Sequence, residues 1–424
     1  MKGIVNGLLI AATMTFVAGC SVNGGQPMAR TASHREFTKQ GTRVPATKAQ
    51  RIGSGTQFVS EESVGEKPAS PVNIFGHLPD TVAPGRGSMD QPDNEKQVSF
   101  AVEGSDFDPE IDGTGKWMAF ASTRHREKSD IYLQRINGTA VTQLTSDPAN
   151  DVMPTFSPDG KRIAFASDRG GNWDIYIKDA NGGQAVQLTS NPTHDLHPGF
   201  SPDGTKLIYC TYGSQSGQWE LVVIDLNQPS NKRFVGFGLF PNWSPTGNKI
   251  VFQRARERRT RWFSVWTIDL EDGEGVRPTE VAVSANAAAI TPHWSPDGKF
   301  IVFCTVVNPA SDEQKQPKQA DIWVVGADGR GRVNLTNSPF ANVQPVWAPS
   351  GSIHFVSNRA KAGVENIWAI NPNRALMTLK QSMGGNSAIT KAAAGDVSQP
   401  INQRGAAPVN DGDANRTAVV PTNP

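Results

Sequence analysis

The sequence lacks the pentapeptide Gly-x-Ser-x-Gly, in which serine hydrolases of the α/β class place their nucleophile. The nearest string, Gly213-Ser-Gln-Ser-Gly217, has glutamine where the nucleophile belongs. A serine peptidase of this type is therefore excluded.

The chain also lacks an excess of charge of either sign. Its 41 lysines and arginines are matched by 40 aspartates and glutamates, which gives a formal net charge of +1. This balance excludes a generic nucleic-acid binder, because such proteins carry a basic excess. One local exception contains Arg254, Arg256, Arg258, Arg259 and Arg261. This segment could dock an acidic partner or lipid headgroups, or it could be a solvated loop.

Long apolar runs are scarce, and the one at the start of the chain is short. Lys2 precedes the apolar stretch 4–16, which is too short to span a bilayer comfortably and is typical of a secretory signal. The following Val17-Ala-Gly-Cys20 resembles the lipobox of bacterial lipoproteins. That resemblance implies a lipid anchor on Cys20, and Ser21 favours the outer membrane over the inner one. An ordinary signal peptide is the alternative.

One phrase, most legible as Phe156-Ser-Pro-Asp-Gly-Lys161, recurs six times along the chain. The copies are anchored by prolines that are 43 to 53 residues apart: Pro109, Pro154, Pro198, Pro241, Pro292 and Pro345. A repeat of this length is typical of propeller blades, and each copy reads as four short strands joined by turns. The sequence therefore predicts an all-β fold, a six-bladed β-propeller of four-stranded antiparallel blades.

The sixth copy has only three clear strands, so its fourth must come from elsewhere. The segment Gln97-Val-Ser-Phe-Ala101 resembles the last strand of the other copies, and we predict that it closes the ring by pairing with blade six. Leu376-Met-Thr-Leu-Lys380 is the alternative. The predicted organisation is a signal peptide at 1–20, a flexible tether at 21–96, the propeller at 97–373 and a disordered tail at 374–424.

Residues two places after the anchor prolines are large and apolar, and we predict that they pack between blades. Cys210 and Cys304 occupy equivalent second-strand positions two blades apart. That separation is too great for a disulfide, so both are predicted to be buried thiols.

Residues on either side of each anchor proline should face the central tunnel, because strand side chains alternate. The tunnel-facing carboxylates and imidazoles fall on blades one, three and five: Asp108, Glu110, His197 and His293. Oxygen and nitrogen donors of this kind suit a divalent metal such as manganese or zinc. The alternative is that they hydrogen-bond to backbone or water, so the metal content stays open.

A second candidate surface is the face that carries the linkers between blades. Three acids lie three places before anchor prolines: Asp106, Asp151 and Asp195. The arginine-rich segment lies on the same face, as does the blade-five insertion at 307–319. Charged loops on a rigid scaffold often bind partners, whereas aspartates in turns often bond only to nearby backbone.

The repeated residues Phe156-Ser-Pro-Asp-Gly-Lys161, Asp174-Ile-Tyr176 and Gln187-Leu-Thr189 resemble those of TolB-type propellers. The resemblance implies a monomeric, non-enzymatic platform in the bacterial cell envelope that faces the periplasm and binds envelope proteins such as the lipoprotein Pal. The chain departs from TolB in lacking an α/β domain before the propeller. Oligogalacturonate lyases share the repeat, so a metal-dependent enzyme on polysaccharide is the alternative, and a sensor of glycan fragments is a third.

Overall fold

A computed structural model describes residues 94–255, 262–284, 287–307, 320–360 and 363–380. These residues form six antiparallel sheets of four strands each, and every sheet is one blade. The predicted six-bladed propeller is confirmed. Cys20 and the rest of the predicted signal peptide lie outside the described residues, as does nearly all of the predicted tether and tail.

In each blade the first-named strand lines the tunnel and the last-named strand lies at the outer edge. Blade one contains β2 (Asp106–Ile111), β3 (Trp117–Ser122), β4 (Asp130–Arg135) and β5 (Val141–Gln143). Blade two contains β6 (Asp151–Phe156), β7 (Arg162–Ser167), β8 (Asp174–Asp179) and β9 (Gly182–Gln187). Blade three contains β10 (Asp195–Phe200), β11 (Lys206–Tyr212), β12 (Trp219–Asp225) and β13 (Lys232–Phe237). Blade four contains β14 (Leu239–Trp243), β15 (Lys249–Ala255), β16 (Phe263–Glu271) and β17 (Glu274–Ala282). Blade five contains β18 (Ala287–Trp294), β19 (Phe300–Val307), β20 (Ala320–Gly326) and β21 (Arg332–Asn334). Blade six contains β22 (Asn342–Trp347), β23 (Ile353–Ser357), β24 (Asn366–Ile370) and β1 (Glu95–Gln97).

The repeated Ser-Pro-Asp-Gly phrase forms the turn between the first two strands of a blade. In blade two, Gly160 has a φ of 69° and its N–H donates to the Ser157 carbonyl at 2.8 Å. The Asp159 carboxylate accepts from the Ser157 hydroxyl at 2.6 Å and from the Lys161 N–H at 3.1 Å. Glycine is required here because other residues resist a positive φ, and the aspartate satisfies the backbone that the turn leaves open.

The core lies between neighbouring blades rather than inside any one of them. The predicted knobs after the anchor prolines are all buried: Ile111, Phe156, Phe200, Trp243, Trp294 and Trp347. Trp243 reaches from blade four to blade three, where its indole N–H donates to the Gly199 carbonyl at 3.0 Å. Burial of a side chain of this size contributes about 1.5–3 kcal/mol, so the blades are stable only when stacked.

Blade six receives its outer strand from the N-terminal side of the propeller. β1 pairs antiparallel with β24, with Lys96 opposite Ala369, so the predicted closure is confirmed, although the strand begins at Glu95 rather than Gln97. The alternative closing segment is not a strand, because residues 373–380 are helical (α1).

The closing segment reproduces a detail of the other blades. In three of them a threonine after the fourth strand accepts a hydrogen bond from an N–H of the third strand: Thr145 from Ile131 (2.9 Å), Thr189 from Ile175 (2.9 Å) and Thr336 from Ile322 (3.1 Å). Ser99 accepts from the Ile367 N–H at 2.9 Å in the same way. The segment that begins at Glu95 is therefore the displaced end of the sixth repeat.

Cys210 and Cys304 are buried free thiols, as predicted. Burial raises the pKa of both thiols, which keeps them protonated and inert.

Candidate functional site

The first strand of every blade is interrupted at its anchor proline. In all six blades the strand pairing shifts register at this point. The residue before each proline is not glycine, yet it has a φ between 50° and 55°: Asp108, Met153, His197, Phe240, Thr291 and Gln344. Each first strand therefore carries a bulge that turns both neighbours of the proline toward the axis.

These bulges line one cavity on the propeller axis. The cavity has a volume of about 130 Å³, and its walls are the three-residue stretches centred on the six anchor prolines. All four predicted tunnel residues lie in this wall: Asp108, Glu110, His197 and His293. No lysine or arginine among the residues that the structure describes lines the cavity.

Asp108 is held by the blades on both sides of its own. One carboxylate oxygen accepts from the Met153 N–H of blade two at 3.1 Å, and the other accepts from the Gln344 amide of blade six. The Gln344 side-chain oxygen in turn accepts from the Asp108 N–H at 3.1 Å. Burial raises the pKa of Asp108 to about 7, although these hydrogen bonds act in the opposite direction.

Glu110 lies on the other side of the same proline and has no such partners. Its carboxylate forms no hydrogen bond or ion pair with the described residues. Burial alone raises the pKa of Glu110 to about 8. The glutamate is therefore largely protonated near neutral pH, when nothing is bound to it.

The two tunnel histidines are neutral. His197 is 8% exposed and its ring packs on Phe240 with centroids 3.6 Å apart. Burial lowers the pKa of His197 to about 3 and that of His293 to about 4. Nδ1 of His293 lies 2.9 Å from the Trp294 carbonyl, whereas no described residue bonds to the His197 ring nitrogens.

The four predicted ligands share a cavity, but their side chains are not arranged around a common metal position. Among the residues that the structure describes, no three His, Cys, Asp or Glu side chains could hold a metal ion together. All four residues lie in the tunnel wall, as the sequence predicted. They are too widely separated around the ring for three of them to bind one metal ion.

The three aspartates predicted on the linker face are not surface groups, which corrects the prediction that they contact a partner. Asp106, Asp151 and Asp195 are fully buried. Asp106 forms an ion pair with Arg124 at 2.7 Å, and Asp151 pairs with Arg169 at 2.9 Å. Their carboxylates join the first strand of a blade to the end of its second strand, so their role is structural.

Asp195 occupies the same place in blade three but lacks an arginine. Gly213 stands where blades one and two have Arg124 and Arg169. Asp195 accepts instead from the Asn191 amide at 2.7 Å, and burial raises its pKa. Asp195 is nevertheless buried and cannot contact a partner directly.

The predicted arginine-rich segment is described only at its first residue. Arg254 lies over the Trp266 ring, with 5.7 Å between its guanidinium carbon and the ring centroid. Arg256, Arg258, Arg259 and Arg261 lie outside the described residues.

The linker face carries exposed apolar side chains that the sequence reasoning did not identify. This face is the one with the linkers between blades and the loops between second and third strands. Phe100 is 53% exposed and Val102 is 87% exposed, both in the linker from β1 to β2. Tyr212 and Val307, at the ends of β11 and β19, are also exposed. Large apolar groups on a rigid face are a common feature of protein-binding surfaces.

Similarity to known proteins supports the propeller assignment. Residues 92–265 match the family model described as the TolB beta propeller domain. The Tol-Pal system protein TolB of Anaeromyxobacter dehalogenans is 29% identical over 134 residues, which cover 31% of this chain and 27% of that protein. A TolB homolog of Chlorobium luteolum is 51% identical over 43 residues, 10% of each chain. The chain thus spans little more than a quarter of the length of the first relative and a tenth of the second.

Solved structures with similar folds have low sequence identity. The structure of TolB from Acinetobacter baumannii has a TM-score of 0.47 and 21% identity, covering 58% of this chain and 57% of that one. An oligogalacturonate lyase from Vibrio parahaemolyticus has a TM-score of 0.46 and 12% identity, covering 65% of this chain and 93% of that one. Among the described residues of this chain, no helix is both long and apolar enough to cross a bilayer.

Proposed function

Because this chain carries a TolB-type β-propeller, we propose that it is a non-enzymatic protein-binding platform of the bacterial cell envelope. The observation that supports this most is the match of residues 92–265 to the TolB propeller model, together with relatives named as Tol-Pal system proteins. The proposed partner is an envelope protein, such as a Pal-like lipoprotein.

The linker face is the proposed binding surface. Phe100, Val102 and Tyr212 expose apolar surface there, and buried ion pairs join the strands of blades one and two, which makes that part of the face rigid. A partner that covered these side chains would gain roughly 25 cal/mol for each Å² of apolar surface removed from water. Arg254, near the end of β15, adds positive charge to the same face and would favour a partner with acidic groups.

The face can be tested by comparing matched aromatic substitutions. Phe100→Ser and Tyr212→Ser alter the linker face, whereas Phe234→Ser alters an exposed phenylalanine on the outer strand β13. Two pull-downs are compared, one from detergent-solubilised envelope and one with a purified Pal-like lipoprotein of the same bacterium. In both, Phe100→Ser and Tyr212→Ser should recover less partner than wild type, and Phe234→Ser should recover as much. Equal recovery with all three variants would refute the linker face as the binding surface.

We further propose that the chain is anchored by lipid on Cys20 and faces the periplasm, with the outer membrane as its location. The support is the resemblance of Val17-Ala-Gly-Cys20 to a lipobox. Labelling with radioactive palmitate followed by membrane fractionation tests it. Wild type should carry the label and sediment with outer membranes, and Cys20→Ser should do neither. An unlabelled wild-type chain would exclude the anchor.

A further inference from the structure

The cavity on the propeller axis contains acidic groups that no described cation balances. Asp108 and Glu110 flank one proline of blade one, and both contribute to the cavity wall. The described part of the wall holds no lysine or arginine, and burial keeps both tunnel histidines uncharged. Ionising a buried carboxyl group that has no counter-charge costs free energy, and a positively charged ligand would offset that cost.

A further polar group in the same wall is buried and unpartnered. His197 is 8% exposed, and its ring nitrogens bond to no described residue. A neutral imidazole offers one acceptor nitrogen, so His197 can accept a hydrogen bond from a ligand.

The acceptors and the size of the cavity together indicate the chemistry of that ligand. An ammonium group has three N–H donors, and the wall offers the two oxygens of the Glu110 carboxylate and the His197 ring nitrogen as acceptors. Met153, Phe240 and Val346 supply an apolar wall against which an alkyl stem can pack. About 130 Å³ is well below the roughly 300–1,000 Å³ of pockets that take drug-sized ligands, so the cavity suits a small group.

We propose that the axial cavity is a binding site for a primary ammonium group, with Glu110 as its counter-charge. The ammonium can belong to a free small amine or to a lysine side chain that a partner inserts into the tunnel. A divalent cation is the less suitable ligand, since no three of the described His, Cys, Asp or Glu side chains are placed to share one. The inference does not depend on the proposed function, because amine binding and partner capture are measured separately.

Binding should release protons and strengthen as the pH rises. The groups that face the cavity and titrate are Asp108, Glu110, His197 and His293. The histidines have pKa values of about 3 and 4 and stay neutral above pH 6. The carboxyls have pKa values of about 7 and 8, so they lose their protons between pH 6 and 9, where an alkylammonium is still charged.

Titration calorimetry on the purified full-length chain tests the site, with propylammonium as the probe and 1-propanol as its neutral control. We expect saturable binding of propylammonium alone, at least tenfold tighter at pH 8.5 than at pH 6, with a measured heat that depends on the buffer because protons are released. Glu110→Gln should weaken binding at pH 8.5 at least tenfold. Glu103→Gln, which changes an exposed glutamate outside the cavity, should bind as wild type does.

A second set of binding measurements identifies whether the ammonium group comes from a free amine or from a lysine side chain. A capped pentapeptide with a central lysine is compared with its Nε-acetyl form; binding of the first alone indicates a lysine side chain, and binding of propylammonium without either peptide indicates a free amine. The proposal fails if propylammonium does not saturate, if propanol binds equally, or if a folded Glu110→Gln chain binds as wild type. Calcium or manganese that binds at the cavity and displaces the amine would assign the site to a divalent ion instead. Circular dichroism confirms that each variant is folded.

Discussion

At the scale of single residues, the conformations on the tunnel wall are unusual for the residue types found there. Six residues that are not glycine adopt a positive φ immediately before a proline. Such conformations cost on the order of 1–3 kcal/mol each and persist only where the surroundings enforce them. In blade one the enforcement is visible, because the Asp108 carboxylate bonds to blades two and six. Strain at these residues is therefore offset by contacts between blades.

Glu110→Gln should stabilise the free protein at alkaline pH. The folded chain holds the pKa of Glu110 at about 8 against an ordinary value of 4.5, so the unfolded chain releases this proton first and wild type loses stability as the pH rises between these values. The variant cannot ionise, so its advantage should be absent near pH 4 and reach roughly 1–3 kcal/mol by pH 8.5, less than a sealed site would give because the cavity can admit water.

Urea denaturation of both chains between pH 4 and 9 measures this difference. Burial lowers the pKa of His197, His293 and His354, so these histidines lower stability as the pH falls below about 6.5, but wild type and variant share that effect and it cancels in the comparison. Glu103→Gln is the control for loss of an exposed glutamate. A difference between wild type and Glu110→Gln that did not change with pH would show that Glu110 does not carry the raised pKa.

At the scale of elements, one of the three shortest strands has the largest topological role. β1 has three residues, yet it covers the otherwise open edge of β24. Glu95 forms an ion pair with Arg359, whose guanidinium also donates to Asn342 at 2.8 Å in the first strand of the same blade. The closing strand is thus linked to the inner strand β22 through Arg359, in addition to its backbone pairing with β24.

Removal of residues 1–99 should therefore destabilise the propeller far more than removal of residues 1–93. The longer deletion leaves Arg359 buried without Glu95 and leaves the Ile367 N–H without Ser99, which we expect to cost on the order of 3–5 kcal/mol. It also exposes the edge of β24, so the shorter protein should associate in size-exclusion chromatography. Urea denaturation of the two deletions measures the difference, and coincident unfolding curves would show that β1 does not close the ring.

At the scale of the whole molecule, the sequence predicts the propeller fold better than it predicts the bulges of the tunnel wall and the partners of the linker-face aspartates. The anchor prolines, the turn glycines and the large residues after the prolines recur every 43 to 53 residues, so blade number, strand order and the closing segment could be predicted. The bulges could not, because a residue before proline ordinarily avoids such conformations. The sequence suggested that Asp106 and Asp151 were surface charges, because their partners Arg124 and Arg169 lie 18 residues away in sequence and contact them only after folding.

The displaced last strand also fixes the order in which the propeller can be completed. During synthesis β1 leaves the ribosome before every other strand of the ring, while its partner β24 is made last. The ring cannot close until Ile370 has emerged, so no shorter nascent chain can reach the native topology. Contacts of such long sequence separation slow folding.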